Sequence, residues 1–296
     1  MNPILLFPDF AIIALGYVLR RTWLQASAWE TIEKLVYYVL FPCLLFYSVV
    51  KSPVDLHDIG LFALGGGVVI AGAFLAGAIP WLWSRMGRVE FASGLQIAYR
   101  FNSYIALALV SRVAGQEGVA NMAMLLAVGV PLCNILAVAT MSQGSGVQAF
   151  KDMLKNPLIL GTVLGIVAKW FGLPIPQALM LTLDRLAQAA VSLGLLAVGA
   201  GLMFSGLRGN WVVSVWWLAV RLLGAPVLAV LYAKAAGLPA MQTTVLLVFS
   251  AIPSASSAYI LATRMGGNAA LVACLISLST VGAAFTLPLV FAWFHP

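Results

Sequence analysis

Long apolar runs, separated by short clusters of glycine, proline and charged residues, fill this chain from end to end. Set against that punctuation, the runs cover 4–19, 35–50, 59–83, 91–111 and 119–141, then 157–171, 178–204, 212–233, 242–263 and 269–293. A helix needs about 20 predominantly apolar residues to cross a bilayer. The pattern therefore predicts an all-α polytopic membrane protein of about ten transmembrane helices, embedded in a lipid bilayer. The longest interior break, 142–156, holds Gln143-Gly144-Ser145-Gly146 and then Lys151, Asp152 and Lys155. It divides the chain into a first unit at 1–141, a linker loop at 142–155 and a second unit at 156–296.

Composition sharpens this picture. The 296 residues are 62% hydrophobic and only 8% charged, with a mean hydropathy of +1.03. An average soluble domain carries about 25% charged residues, and no soluble fold hides so much apolar surface. Ten spans and their loops use up the length, which excludes nucleotide-binding, kinase or receptor modules. The net charge of +7 does not point to nucleic acid, because the basic residues stand singly or in pairs between apolar runs. They act as topology signals. Loops after odd-numbered spans carry Arg20, Arg21, Lys34, Arg85, Arg88, Lys151, Lys155, Arg208 and Arg264, against Lys51, Arg112, Lys169 and Lys234 on the other side. This asymmetry predicts a multi-pass protein of the cytoplasmic membrane with both termini outside the cytoplasm. The nine tryptophans fall in loops or near span ends, where amphipathic rings prefer to sit. The N-terminus, with Asp9 in its first apolar run and Arg20-Arg21 after it, reads as a retained first helix.

The halves echo each other. Asn2-Pro3-Ile4-Leu5-Leu6 recurs as Asn156-Pro157-Leu158-Ile159-Leu160, Ile32-Glu33-Lys34-Leu35 as Leu183-Asp184-Arg185-Leu186, and Arg112 to Gly115 as Arg264 to Gly267. Five spans is an odd number, so a duplicated unit enters the membrane upside down the second time. That is the inverted repeat of many secondary transporters. At the displacement of the second echo, 151 residues, Phe101-Asn102-Ser103 of span four falls on Ile252-Pro253-Ser254 of span nine. Pro253 donates no backbone hydrogen bond, while Asn102 and Ser254 can cap a new helical segment. A proline kink beside a buried asparagine is the plainer reading of either position alone. Their matched placement favours two broken helices that meet near the midplane, with half-helix N-termini suited to an anion.

Arg100 lies in the middle of span four, where a guanidinium costs a few kcal/mol unless it is paired or hydrated. Its planar fork suits a carboxylate; an internal salt bridge or snorkelling to the interface is the structural alternative. The candidate substrate site is thus Arg100, Asn102, Ser103, Tyr104, Pro253, Ser254, Ser256 and Ser257. Gln96, Tyr99, Ser250 and Tyr259 also flank the two breaks. Asp9 reads as a solvated interfacial carboxylate, with proton coupling as the alternative. Asp184-Arg185 and Glu33-Lys34 read as span-boundary charges. Arg221 of span eight pairs with a carboxylate or faces a cavity. Cys43, Cys133 and Cys274 show no metal-ligand spacing, and no catalytic or cofactor motif is present. A membrane-embedded enzyme or a structural partner protein is the different-class alternative.

Several short motifs, in this order and spacing, resemble the auxin efflux carrier family. They are Leu15-Gly16-Tyr17 before Arg20-Arg21, Leu40-Phe41-Pro42 to Leu45-Phe46, Phe101-Asn102-Ser103, Lys155-Asn156-Pro157-Leu158 and Ala251-Ile252-Pro253. The family includes the PIN proteins of plants and bacterial permeases for malonate and other organic acids. The resemblance covers essentially the whole chain. It implies two inverted five-helix repeats, similar to bile-acid sodium symporters, with helices four and nine broken and crossing at the substrate. It also implies elevator-like alternating access, with Asn102 and Pro253 as crossover residues. In the family, small glycine-rich residues and a proline follow the asparagine; here Ser103-Tyr104-Ile105-Ala106-Leu107 follow, which leaves pocket shape and substrate open. The expected function is a secondary carrier for a small organic anion, a mono- or dicarboxylate. A sodium-coupled bile-acid-type symporter is the runner-up. Proton or sodium coupling and a homodimer stay open, and Arg100 rests on the physical argument alone.

Overall fold

A computed structural model describes residues 7–51, 59–141, 157–204, 211–255 and 257–294. Eleven helices make up its regular structure: α1 (Phe7–Thr22), α2 (Ala26–Lys51), α3 (Ile59–Ala78), α4 (Arg88–Tyr99), α5 (Ser103–Met141), α6 (Pro157–Trp170), α7 (Gln177–Ala200), α8 (Trp211–Ala236), α9 (Ala240–Ala251), α10 (Ser257–Arg264) and α11 (Ala269–Trp293). The chain is an all-α polytopic membrane protein. Six helical stretches are long and apolar enough to cross a bilayer unaided, and α6 and α9 are shorter but equally apolar. Large apolar side chains such as Leu75, Leu164, Leu231 and Phe285 are exposed on helix flanks. In a soluble protein they would be an aggregation hazard; here lipid covers them.

Ten expected runs become eleven helices because of local backbone chemistry. Gly115, with φ 57° and ψ −153°, bends α5 into two arms, one completing span four and the other forming span five. That conformation is open essentially only to glycine. Gly266 is a second positive-φ glycine, 151 residues further on, in the turn after α10. Each of α2 and α8 contains one π-helical turn, at Val36–Leu40 and Val220–Gly224. Pro42 and Pro226 follow, each after one intervening residue. A proline inside a helix lacks the donor for the carbonyl four residues back and crowds it, and a widened turn relieves both.

Two bundles share the core. In the first, α1 packs on α7, and α2 on α6 and α7. Gly199 lets α1 and α7 approach so closely that any Cβ there would overlap the Ile13 carbonyl. Arg20 and Arg21 then donate to the carbonyls of Ala200 and Leu202 at the end of α7. In the second, α3, α4, α5, α8, α9 and α11 pack together. Trp217 of α8 is a core residue there, not an interfacial one: it is fully buried, donates to the Gly77 carbonyl at 3.0 Å and lies over Gly94. The bundles meet along the first arm of α5, which faces α2 and α7.

Two expectations about charge placement need correction. Glu33-Lys34 lie inside α2, which starts nine residues before the expected span, and Asp184-Arg185 lie two turns into α7. Neither pair marks a helix end; Asp184 accepts from Gln188 one turn on at 2.8 Å. The linker 142–155 is outside the described residues.

Candidate functional site

Span four is broken after Tyr99. Arg100 leaves the helix in an extended conformation, with φ −77° and ψ 150°, and the next helix begins at Ser103. Asn102 restarts it, its Oδ1 accepting from the backbone N–H groups of Tyr104 at 3.0 Å and Ile105 at 3.2 Å. This is an N-cap, and it satisfies two of the four donors a helix start leaves free. Span nine breaks in the same way after Ala251. Ile252 is extended, with φ −69° and ψ 154°, the conformation that a following proline imposes on its neighbour. The two breaks cross, and the Asn102 N–H donates to the Pro253 carbonyl at 2.9 Å. Phe101 packs against Phe249 with ring centroids 4.5 Å apart and the ring planes tilted by 54°.

Arg221 of α8 lies beneath the second break. Its Nε donates to the Ile252 carbonyl at 2.9 Å, and a terminal nitrogen donates to Phe249 at 3.0 Å and Ser250 at 2.6 Å. The sequence expectation of a carboxylate partner or a cavity is therefore replaced. Arg221 caps the C-terminus of α9, where the break frees carbonyls and the helix dipole is negative. Ser254 is anchored from α11, its backbone N–H donating to the Ser279 hydroxyl at 3.2 Å.

Arg100 is buried at 4% exposure. It is held by neutral groups: one terminal nitrogen donates to the Ser257 hydroxyl at 3.0 Å, the other to Asn134 Oδ1 at 3.0 Å. Neither of its structural alternatives, an internal salt bridge or snorkelling, is what the described residues show. A centrally buried arginine costs about 3 kcal/mol, and charge-assisted hydrogen bonds contribute about 1.5–3 kcal/mol each, so two of them offset that cost. They leave the positive charge unneutralised. The Nε of Arg100 and the hydroxyl of Ser254 are buried without a hydrogen-bond partner among the described residues.

The crossing thus gathers Arg100, Asn102, Ser103, Pro253, Ser254 and Ser257. Ser257 is exposed and Ser103 half-buried, whereas Asn102, Pro253 and Ser254 are buried. Tyr104 stands at the edge, its ring 4.7 Å from that of Phe41 in α2, where the first bundle begins. Ser256 lies outside the described residues. Asn134, from the second arm of α5, is the residue that sequence reading missed. Its signal was an amide inside an otherwise apolar run, and only the fold brings it to Arg100.

Asp9 also departs from expectation. It is 6% exposed, and its Oδ1 lies 2.7 Å from Nε of Arg112 at the end of the first arm of α5. It is a buried, paired carboxylate and not a solvated one.

Comparison with known proteins agrees with this architecture. Residues 141–291 match the model of a family described as membrane transport protein. Over 286 residues, covering 94% of this chain and 93% of the other, the sequence is 26% identical to a protein of Methanothermobacter thermautotrophicus described as an uncharacterized transporter.

Proposed function

This chain belongs to the membrane transport protein family, the auxin efflux carrier family that its motifs resemble, and from that premise we propose that it is a secondary carrier for a small organic anion, a mono- or dicarboxylate. One observation carries the substrate class: the buried guanidinium of Arg100 is bonded only to neutral side chains, at the point where two helices restart. Helix N-termini carry partial positive charge, worth up to about 2 kcal/mol toward an anion in partly buried geometry. Arg100, Ser257 and the capped start at Asn102 bind the carboxylate; Ser103, Tyr104 and Ser254 shape the pocket.

The second bundle carries this site past the first in an elevator-like movement. Tyr104 against Phe41 forms part of the sliding contact. The matched breaks support two inverted repeats, 1–141 and 156–296. The excess of basic residues after odd-numbered spans supports termini outside the cytoplasm.

Exchange in proteoliposomes loaded with a panel of carboxylates, under imposed proton or sodium gradients, tests the reading. The expected result is saturable exchange of one carboxylate in the wild type, lost in Arg100→Ala. Absence of flux for every carboxylate under every gradient overturns the substrate class.

A further inference from the structure

Asp9 and Arg112 form an ion pair that joins the two bundles: Asp9 belongs to α1 of the first, and Arg112 to the first arm of α5 in the second. The protein covers its two ends very differently, the Asp9 side chain being 9% exposed and that of Arg112 37%. A small cleft beside Asp9 is walled by Phe10 and Ile13 of α1, Ile105 and Leu109 of α5, Leu195 of α7 and Leu287 of α11. None of these is titratable. Arg112 is the one charged group that faces Asp9 from the elements packed against it, among the described residues. Both carboxylate oxygens are buried and neither makes a hydrogen bond among the described residues; the approach of Arg112 Nε to Oδ1 is an ion-pair contact.

We propose that Asp9 is a proton-binding site that couples sliding of the second bundle past the first, and so separation of Asp9 from Arg112, to uptake of one proton. When the arm of α5 slides along α1, Arg112 parts from Asp9 and carries its part-exposed guanidinium with it. Asp9 keeps the apolar neighbours of its own bundle, Phe10, Ile13 and Leu195. An unpaired carboxylate there costs several kcal/mol, while a neutral carboxyl costs far less. The movement therefore proceeds with transfer of one proton from water onto a carboxylate oxygen, converting COO⁻ to COOH, and the reverse movement returns it. High pH favours the joined state and low pH the separated one.

This inference rests on the carrier reading only in taking the sliding of one bundle past the other as the transport step, and it is tested without substrate. Spin labels at Lys51→Cys of α2 and Ala235→Cys of α8, both exposed positions, report the distance between bundles. Cys43 is replaced by serine, while Cys133 and Cys274 are buried and stay. Pulsed electron spin resonance is recorded on the full chain in nanodiscs between about pH 8 and about pH 5. One linked proton changes the ratio of the two distance populations by up to about tenfold per pH unit. Asp9→Asn removes that slope and holds the low-pH distribution throughout. Arg112→Ala, at the part-exposed end, flattens the slope independently and keeps the test intact if Asp9→Asn misfolds. Distances independent of pH in the wild type, or a wild-type slope in either variant, overturn the proposal. Carboxylate flux with pH-independent distances overturns the proton site and leaves the carrier standing; pH-linked distances without flux support the proton site and overturn the substrate class.

Discussion

Arg100 and Arg221 are both arginines buried in the membrane interior, and their hydrogen bonds separate their roles. Arg221 spends its donors on three carbonyls of the α9 terminus, so its charge faces the negative end of a helix dipole. Arg221→Met leaves those carbonyls without a donor at about 1–3 kcal/mol each. The expected outcome is a loss of roughly 3 kcal/mol or more of stability, read as a lower midpoint of thermal unfolding in detergent, with Arg221→Lys partly restoring it. Asn102→Ala removes an N-cap worth about 1 kcal/mol and lowers the same midpoint by much less. Transport falls in both variants, so the stability readout tells them apart. Sequence alone could single out both arginines as intramembrane charges. It could not assign them, because each partner is contributed by a different helix: Ser257 and Asn134 lie 157 and 34 residues from Arg100. Asp9 was misjudged for the same reason, its partner being 103 positions away at Arg112.

Among the elements, the breaks were the most legible feature. Ile252-Pro253 encodes its own extended backbone through the steric demand of proline on its predecessor, and Asn102 encodes a cap through its short side-chain oxygen. The break between 111 and 119 was legible from Arg112, Gln116 and Glu117 between two apolar runs, but nothing in the sequence singles out Gly115 over Gly118 as the residue that turns. Its φ and ψ do. Gly115→Ala is expected to cost about 1–3 kcal/mol of stability, measured by thermal unfolding, although open space surrounds the position. Gly199 is the opposite case: its own backbone is ordinary and its neighbours are close. Gly199→Val forces α1 from α7 at an overpacking cost of about 1–3 kcal/mol. Because the two helices belong to one bundle, that variant lowers the unfolding midpoint while the affinity of the folded fraction for substrate is unchanged. The start of α2 was misplaced because Glu33 and Lys34 read as loop charges. Inside α2, Glu33 is half-buried and Lys34 exposed.

For the molecule as a whole, a run of apolar stretches with almost no polar remainder is enough to specify an all-helical membrane protein, since only helices and closed barrels satisfy their backbone in lipid. How the helices divide into two bundles is a tertiary fact that hydropathy does not carry. In the proposed carrier, that division lets the second bundle bring the crossing, with the buried charge of Arg100, to a contact with the first, and that charge receives the solute. Affinity for the carboxylate that the exchange panel identifies is therefore the most direct measurement, taken by calorimetric titration of purified wild type, Arg100→Ala and Arg100→Lys. Loss of one or two charge-assisted hydrogen bonds at about 1.5–3 kcal/mol predicts affinity about 10- to 100-fold weaker or worse in Arg100→Ala, with Arg100→Lys in between. Equal affinity in all three proteins would contradict the claim that Arg100 receives the anion.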